Sequence, residues 1–198
     1  MVDIIDHIVS YFRENPIATV IQAVTTIPYS IAFWREKKKN VLIWVAISCS
    51  LFAIGYFILS AYSGIIIAIG TFIATMIGIW FSKKRQILLK TRLFAFILMI
   101  IVTIATSLFI ERNLVMWLIL IAGFLDYFAY IVFREYSKAM HIVLILSQLT
   151  LVIYEIIFLL YLFALLDFIT MFVILAHLVK TFYEAKTKEN NLRRKCYV

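Results

Sequence analysis

Long apolar runs alternate with short charged segments along the whole chain. The first long run covers residues 17–34, and the basic segment 35–40 separates it from the next. A helix that crosses the roughly 30 Å hydrocarbon core of a bilayer needs about 20 apolar residues, because each residue advances it by about 1.5 Å. The pattern therefore predicts seven membrane-spanning helices, at 17–34, 41–60, 65–81, 93–110, 114–133, 141–160 and 167–183.

The two ends of the chain depart from this regular pattern. The turn before the last span, expected near 161–166, is apolar and marks the boundary only weakly. Residues 2–15 carry apolar side chains at helical spacing, which predicts a short amphipathic helix. Such a helix either lies on the membrane surface or extends the first span. Pro16 then suits the first turn of the first span, where a missing N–H costs nothing.

Composition agrees with a membrane protein. Hydrophobic residues make up 65% of the chain and charged residues 15%, whereas soluble domains are nearer about 45–50% and 25%. The mean hydropathy is +1.02. The net charge of +8 comes from basic residues in the short connections, where lipid headgroups are their natural partners. We therefore do not expect the positive charge to serve nucleic-acid binding.

The basic residues also predict an orientation. With seven spans and the N-terminus outside, 17 of the 19 Lys and Arg residues lie on the inner side, and only Arg13 and Arg112 lie outside. Lysine and arginine concentrate in cytoplasmic loops of membrane proteins. We therefore expect a multi-pass protein of the inner (plasma) membrane with a cytoplasmic C-terminus.

The chain also suggests an internal repeat. Residues 33–36 close the first span with Phe-Trp-Arg-Glu, and residues 132–135 close the fifth with Val-Phe-Arg-Glu. This predicts an all-α fold of two parallel three-helix repeats joined by a linker helix, a three-plus-one-plus-three arrangement. The corresponding segments are an N-terminal amphipathic part at 1–16, a first repeat at 17–81, a linker at 93–110, a second repeat at 114–183 and a basic cytoplasmic tail at 184–198.

Several segments resemble a known family. They are QAVTTIPYSIAFW at 22–34 followed by REKKKN, YFILSAYSGIIIAIGTFIATMIGIWFSKK in the second and third spans, and FREYSKAM, LVIYEIIFLLY and HLVKTFY in the second half. Over about residues 17–186 the chain resembles the YgjV-type bacterial inner-membrane proteins. That family is distantly similar to the SWEET and PQ-loop permeases, which implies small-molecule transport. Tyr29, however, follows Pro28 where the PQ-loop pattern has glutamine.

Polar side chains inside the spans are the candidate site. An acid at the centre of a span costs roughly 2.5–3.5 kcal/mol on insertion scales, yet Asp126 and Glu155 lie inside the fifth and sixth spans. Gln148 precedes Glu155 by two helical turns, so both share one face. A polar seam that binds a substrate or a proton is therefore expected from Asp126, Glu155, His177, Gln148 and Tyr127.

Each of these residues also has a structural reading. A buried acid can be carried protonated and bond a neighbouring span, and His177 and Gln148 can be packing residues. Pro28 is expected to kink the first span, as a hinge or as a tolerated break. No enzyme motif, metal spacing or cofactor motif is present, so neither catalysis nor a metal or cofactor is expected.

Two functions remain open. The first is a small-solute transporter or ligand-binding membrane protein with a polar cavity between the two repeats. The second is a non-transporting accessory or regulatory subunit, which the scarcity of glycine and the bulky spans favour. The expected partners are the lipid bilayer, a small-molecule solute and, for the second function, a partner membrane protein or a second copy of the chain.

Overall fold

The computed structural model describes residues 10, 13–34, 37–59, 61–83, 87–110, 116–133, 138–157 and 161–196. These residues are helical or lie in short connections, and no strand occurs among them. The described helices are α1 (Pro16–Phe33), α2 (Lys38–Ile58), α3 (Tyr62–Lys83), α4 (Leu89–Ile110), α5 (Met116–Tyr127, continued by a π-helix over Phe128–Val132), α6 (Lys138–Ile157) and α7 (Tyr161–Cys196).

The membrane-like character of the fold is confirmed. Within the described residues, six helices are long and apolar enough to cross a membrane, and α5 with its π-helical continuation is a shorter apolar helix. Most predicted spans match the helices to within a few residues. The turn expected near 161–166 is wrong: α6 ends at Ile157 and α7 begins at Tyr161. The sequence at 161–166 contains no glycine or proline to interrupt a helix.

Six of the helices close into a ring. Each consecutive pair packs together from α1 to α3 and from α5 to α7, while α1 also contacts α7 and α3 contacts α5. Helix α4 lies outside this ring, against α3 and α5. We call the end of the ring where α1 begins the Pro16 face, and the end where α2 begins the Lys38 face.

The outer surface of the ring is apolar. Large hydrophobic side chains are exposed on every helix, among them Phe57 on α2, Phe94 on α4 and Phe172 on α7. A soluble monomer rarely exposes so much contiguous apolar surface. Lipid is the solvent that matches it, and this agrees with the hydropathy of the helices.

A packed core fills the ring near the Lys38 face. Tyr29, Phe33, Leu42, Tyr130 and Leu144 belong to one buried cluster, to which five helices of the ring contribute. This cluster closes the interior from the Lys38 face.

Some sequence predictions concern residues that the structure does not describe. The N-terminal amphipathic helix falls mainly on 1–9, 11 and 12, and the Arg-Glu pairs of the repeat motif are residues 35–36 and 134–135. All of these lie outside the described residues.

Candidate functional site

A cavity lies inside the ring. Its volume is about 50 Å³, room for several water molecules or a compact polar solute. All six ring helices contribute to its wall, which is partly polar and partly apolar. The lining residues include Tyr29, Phe52, Asp126, Gln148, Leu151 and Asp167.

Asp126 brings a carboxyl group to the middle of the cavity wall. It lies ten residues into α5, about 15 Å along the helix axis from Met116. Its side chain interacts with Ser147 of α6, and the single hydroxyl hydrogen of Ser147 is donated to the backbone carbonyl of Ala122 at 3.0 Å. One carboxyl oxygen of Asp126, Oδ1, is buried and has no hydrogen-bond partner.

Gln148 and two tyrosines form a chain of hydrogen bonds on the side of the cavity nearer the Lys38 face. Nε2 of Gln148 donates to the Tyr29 hydroxyl at 3.1 Å, and this hydroxyl lies 3.3 Å from the Tyr130 hydroxyl. Oε1 of Gln148 is buried without a partner. The chain links α6, α1 and the π-helix across the ring, so it forms the floor of the cavity and leaves one amide oxygen free to accept.

Asp167 and Glu155 form a second acidic group. Asp167 lines the cavity from α7, and a side-chain hydrogen bond joins it to Glu155 of α6. Glu155 lies behind Asp167, near the end of α6 at the Pro16 face, and its Oε2 is buried without a partner. Two carboxyl groups can share a hydrogen bond only if one of them carries a proton, so this pair holds at least one proton.

Aromatic rings enclose the cavity toward the Pro16 face. Tyr56 of α2 stacks on Phe163 of α7 with ring centroids 6.2 Å apart, and on Phe52 at the same separation. Tyr56 and Phe163 are both buried. The interior is thus bounded by aromatic side chains at both ends.

Two of the predicted site residues lie elsewhere. The Tyr127 hydroxyl accepts a hydrogen bond from Thr103 of α4 at 3.3 Å. The His177 ring stacks on the His141 ring, with Nδ1 of His177 3.0 Å from Nε2 of His141, toward the Lys38 face. Neither Tyr127 nor His177 lines the cavity.

Pro28 lies inside α1, buried, one residue before Tyr29. Because proline lacks an N–H, it removes one backbone hydrogen bond from the helix at this level. The missing backbone hydrogen bond thus lies next to Tyr29, whose hydroxyl accepts the hydrogen bond from Gln148.

The chemistry of the wall is one-sided. None of the described residues that line the cavity has a basic side chain, and no group of three or more metal-binding side chains occurs in the described part of the chain. Among the residues that line the cavity, the buried polar atoms without partners are two oxygens, Asp126 Oδ1 and Gln148 Oε1. The cavity therefore offers unpartnered hydrogen-bond acceptors and carboxyl groups to whatever enters it.

The sequence missed Asp167 and Tyr29. Asp167 was placed at the first residue of the last span, where an acid at a membrane surface is unremarkable. Because α7 begins at Tyr161, Asp167 lies about 9 Å further in. The uninterrupted apolar run at 161–166 was the available signal for this. In the sequence, Tyr29 differs from the glutamine of the PQ-loop pattern but gives no sign of its place in the cavity wall.

Comparison with known proteins gave no match: no family model, no curated protein and no solved structure is similar to this chain. The resemblance to YgjV-type proteins stays a prediction.

Proposed function

We propose that the chain is a membrane transporter or binding protein for a small polar solute, which it holds in the cavity inside the six-helix ring. The observation that carries this proposal is the unpartnered Asp126 carboxyl oxygen facing a cavity lined by all six ring helices. A buried polar atom without a partner is costly. A protein that only holds a partner protein would gain nothing from burying a polar atom without a hydrogen bond.

The position of the cavity also supports transport. Intramembrane ionisable groups that face the inside of a helical bundle mark substrate or ion pathways more often than packing sites. The Tyr56–Phe163 stack separates this cavity from the Pro16 face and the Tyr29–Tyr130 pair separates it from the Lys38 face. A solute released alternately toward the two faces requires barriers of this kind at both ends.

We also propose that the ring consists of two equivalent three-helix units, α1–α3 and α5–α7, with α4 as the linker. The contacts between the units support this arrangement. The first helix of each unit packs against the third helix of the other, α1 against α7 and α5 against α3. If a two-fold axis through the centre of the ring relates the two units, it produces two equivalent contacts between them, with the cavity in the middle.

The test is a thermal-shift screen of the purified protein against sugars, nucleosides, vitamins and amines at two pH values. A ligand that binds only the folded state stabilises it by about 2.7 kcal/mol at a hundredfold excess over Kd. We expect at least one ligand class to raise the unfolding temperature, and Asp126→Asn to abolish that shift while the protein still folds.

Thr106→Val is the matched control. Thr106 lies on α4, exposed, and its hydroxyl bonds the Val102 carbonyl of its own helix. It should keep the wild-type response to ligands. If no ligand class shifts the unfolding temperature, or if Asp126→Asn responds like wild type, the cavity does not bind solute. A protein that co-purifies in stoichiometric amount would then favour an accessory subunit.

A further inference from the structure

The cavity wall carries oxygen acceptors that no protein donor satisfies. Asp126, Gln148, Glu155 and Asp167 are only 5%, 2%, 1% and 6% exposed. Three of them keep an oxygen without any hydrogen-bond partner: Asp126 Oδ1, Gln148 Oε1 and Glu155 Oε2. Two of these oxygens, Asp126 Oδ1 and Gln148 Oε1, belong to residues that line the cavity. A ligand that satisfies them must carry hydrogen-bond donors, and a positive charge on the ligand strengthens such bonds.

The remaining wall is apolar or aromatic. Phe52, Ile67, Ala68, Ile119 and Leu151 cover much of it. A bare metal ion or its hydration shell gains nothing from such a surface, whereas a hydrocarbon group does. A quaternary ammonium group has no N–H to donate to the unpartnered oxygens.

Resting on the proposed function, we propose that the cavity binds a small primary amine in its protonated form, and that binding releases the proton shared by Glu155 and Asp167. The ammonium group donates N–H to Asp126 Oδ1 and Gln148 Oε1. Its carbon chain lies against the apolar wall, and its positive charge faces Asp167, the member of the acid pair that lines the cavity.

The exchange balances in charge and in protons. One alkylammonium cation enters, the O–H bond within the Glu155–Asp167 pair breaks, and the proton leaves to water. The cavity gains one positive charge and loses one. No electron is transferred and no other reactant is required.

The groups around the acid pair do not supply a competing cation. The titratable side chains that face the pair or the cavity come from α1, α2, α5, α6 and α7, and in the described residues they are acids, phenols and one thiol: Tyr29, Cys49, Tyr56, Asp126, Glu155 and Asp167. A cation from outside is therefore the partner that can replace the proton.

The experiment follows n-butylammonium binding to the detergent-solubilised full chain, with neutral n-butanol and tetramethylammonium as comparison probes. A pH indicator in weakly buffered solution reports protons released, and thermal shift reports affinity. We expect about one proton released per bound butylammonium. We also expect Kd to rise about tenfold for each unit of pH below the titration of the pair. The two comparison probes should bind far more weakly.

Two variants test which side chains contact the ammonium group and which release the proton. Asp126→Asn should weaken butylammonium binding about thirtyfold or more, because it removes the buried charge that the ammonium contacts. The double variant Glu155→Gln with Asp167→Asn keeps a hydrogen bond between two amides but has no proton to share. It should still bind butylammonium, with proton release near zero and a Kd that hardly depends on pH.

Three results would overturn the proposed exchange. n-Butanol could bind as tightly as n-butylammonium, n-butylammonium could bind to the wild type without releasing a proton, or the double variant could still release one full proton. If the double variant does not fold, the stoichiometry of the wild type decides. Binding of a neutral solute that depends on Asp126 would leave the proposed function standing without this inference, whereas no binding of any probe would remove both.

Discussion

Lys38 is a buried residue whose amino group joins two elements of the ring. Its Nζ donates to the backbone carbonyl of Tyr130 at 2.9 Å and also to that of Phe133. These carbonyls lie where the fifth helix ends, and the last carbonyls of a helix have no partner within it. By donating to them, Lys38 satisfies the end of the helix that carries Asp126.

Lys38→Met should therefore lower the free energy of unfolding by about 1–3 kcal/mol, because it leaves buried carbonyls without a donor. The unfolding temperature in a fixed detergent measures the change. Lys39→Met is the control, since Lys39 is exposed and carries the same charge at the neighbouring position. Equal effects of the two substitutions would mean that only the loop charge matters.

Sequence patterns located some of the individual site residues. Asp126 and Gln148 were found because a polar side chain within an apolar span is conspicuous, and both line the cavity. The pairing of Glu155 with Asp167 was not predictable, because it depends on where α7 begins and how it faces α6. His141, the partner of His177, lies at the start of a span and gave no signal of its own.

The π-helix after Tyr127 is an element that hydrophobic periodicity did not reveal. It spans Phe128–Val132, between Asp126 and the end of the fifth helix. π-helical segments are rare and are frequent at functional sites. Here the segment carries Tyr130, whose hydroxyl reaches Tyr29 in the cavity floor and whose carbonyl reaches Lys38.

Helix α3 approaches this segment closely at Gly78. A Cβ atom at Gly78 would lie 2.6 Å from the Tyr130 carbonyl oxygen, a backbone atom that no rotamer change can move. Gly78→Ala should therefore separate α3 from the π-helix and lower the free energy of unfolding by about 1–3 kcal/mol.

Gly55→Ala is the matched control for that substitution. A Cβ atom there would lie 3.5 Å from Gln22 Cγ, which is ordinary van der Waals contact. The unfolding temperatures of both variants, measured in one detergent, should fall only for Gly78→Ala. Equal stability of the two variants would contradict the close packing of α3 on the π-helix.

On the scale of the whole molecule, a closed ring places the polar groups inside and the apolar side chains outside. In lipid no hydrophobic force drives one helix onto another, so close packing and buried hydrogen bonds hold such an assembly together. The links Gln148–Tyr29 and Tyr29–Tyr130 join helices from both ends of the chain.

The orientation of the whole chain in the membrane can be tested with reporter fusions. With seven spans and the basic connections inside, a reporter fused after Val198 should be active only in the cytoplasm. A fluorescent protein that requires the cytoplasm should therefore be bright in this position, and alkaline phosphatase, which requires the periplasm, should be silent. A fusion after residue 61, on the opposite side, should give the reverse result. An active phosphatase at the C-terminus would contradict the orientation.

The sequence by itself determined the helical class, the approximate helix bounds and the membrane-like surface. Each of these depends on residues close together in the chain, because a helix length and an apolar face can be counted directly. The sequence also marked Asp126, since its cost in lipid does not depend on its neighbours.

Tertiary structure alone decided which helices meet and therefore which side chains share the cavity. Asp167, Gln148 and Tyr29 line the cavity from three helices, and Tyr29 and Gln148 are 119 positions apart in sequence. No local pattern encodes the rotation and depth of one helix against another. These are set by packing and buried hydrogen bonds across the whole ring, and they placed Asp167 in the cavity while leaving His177 beside His141.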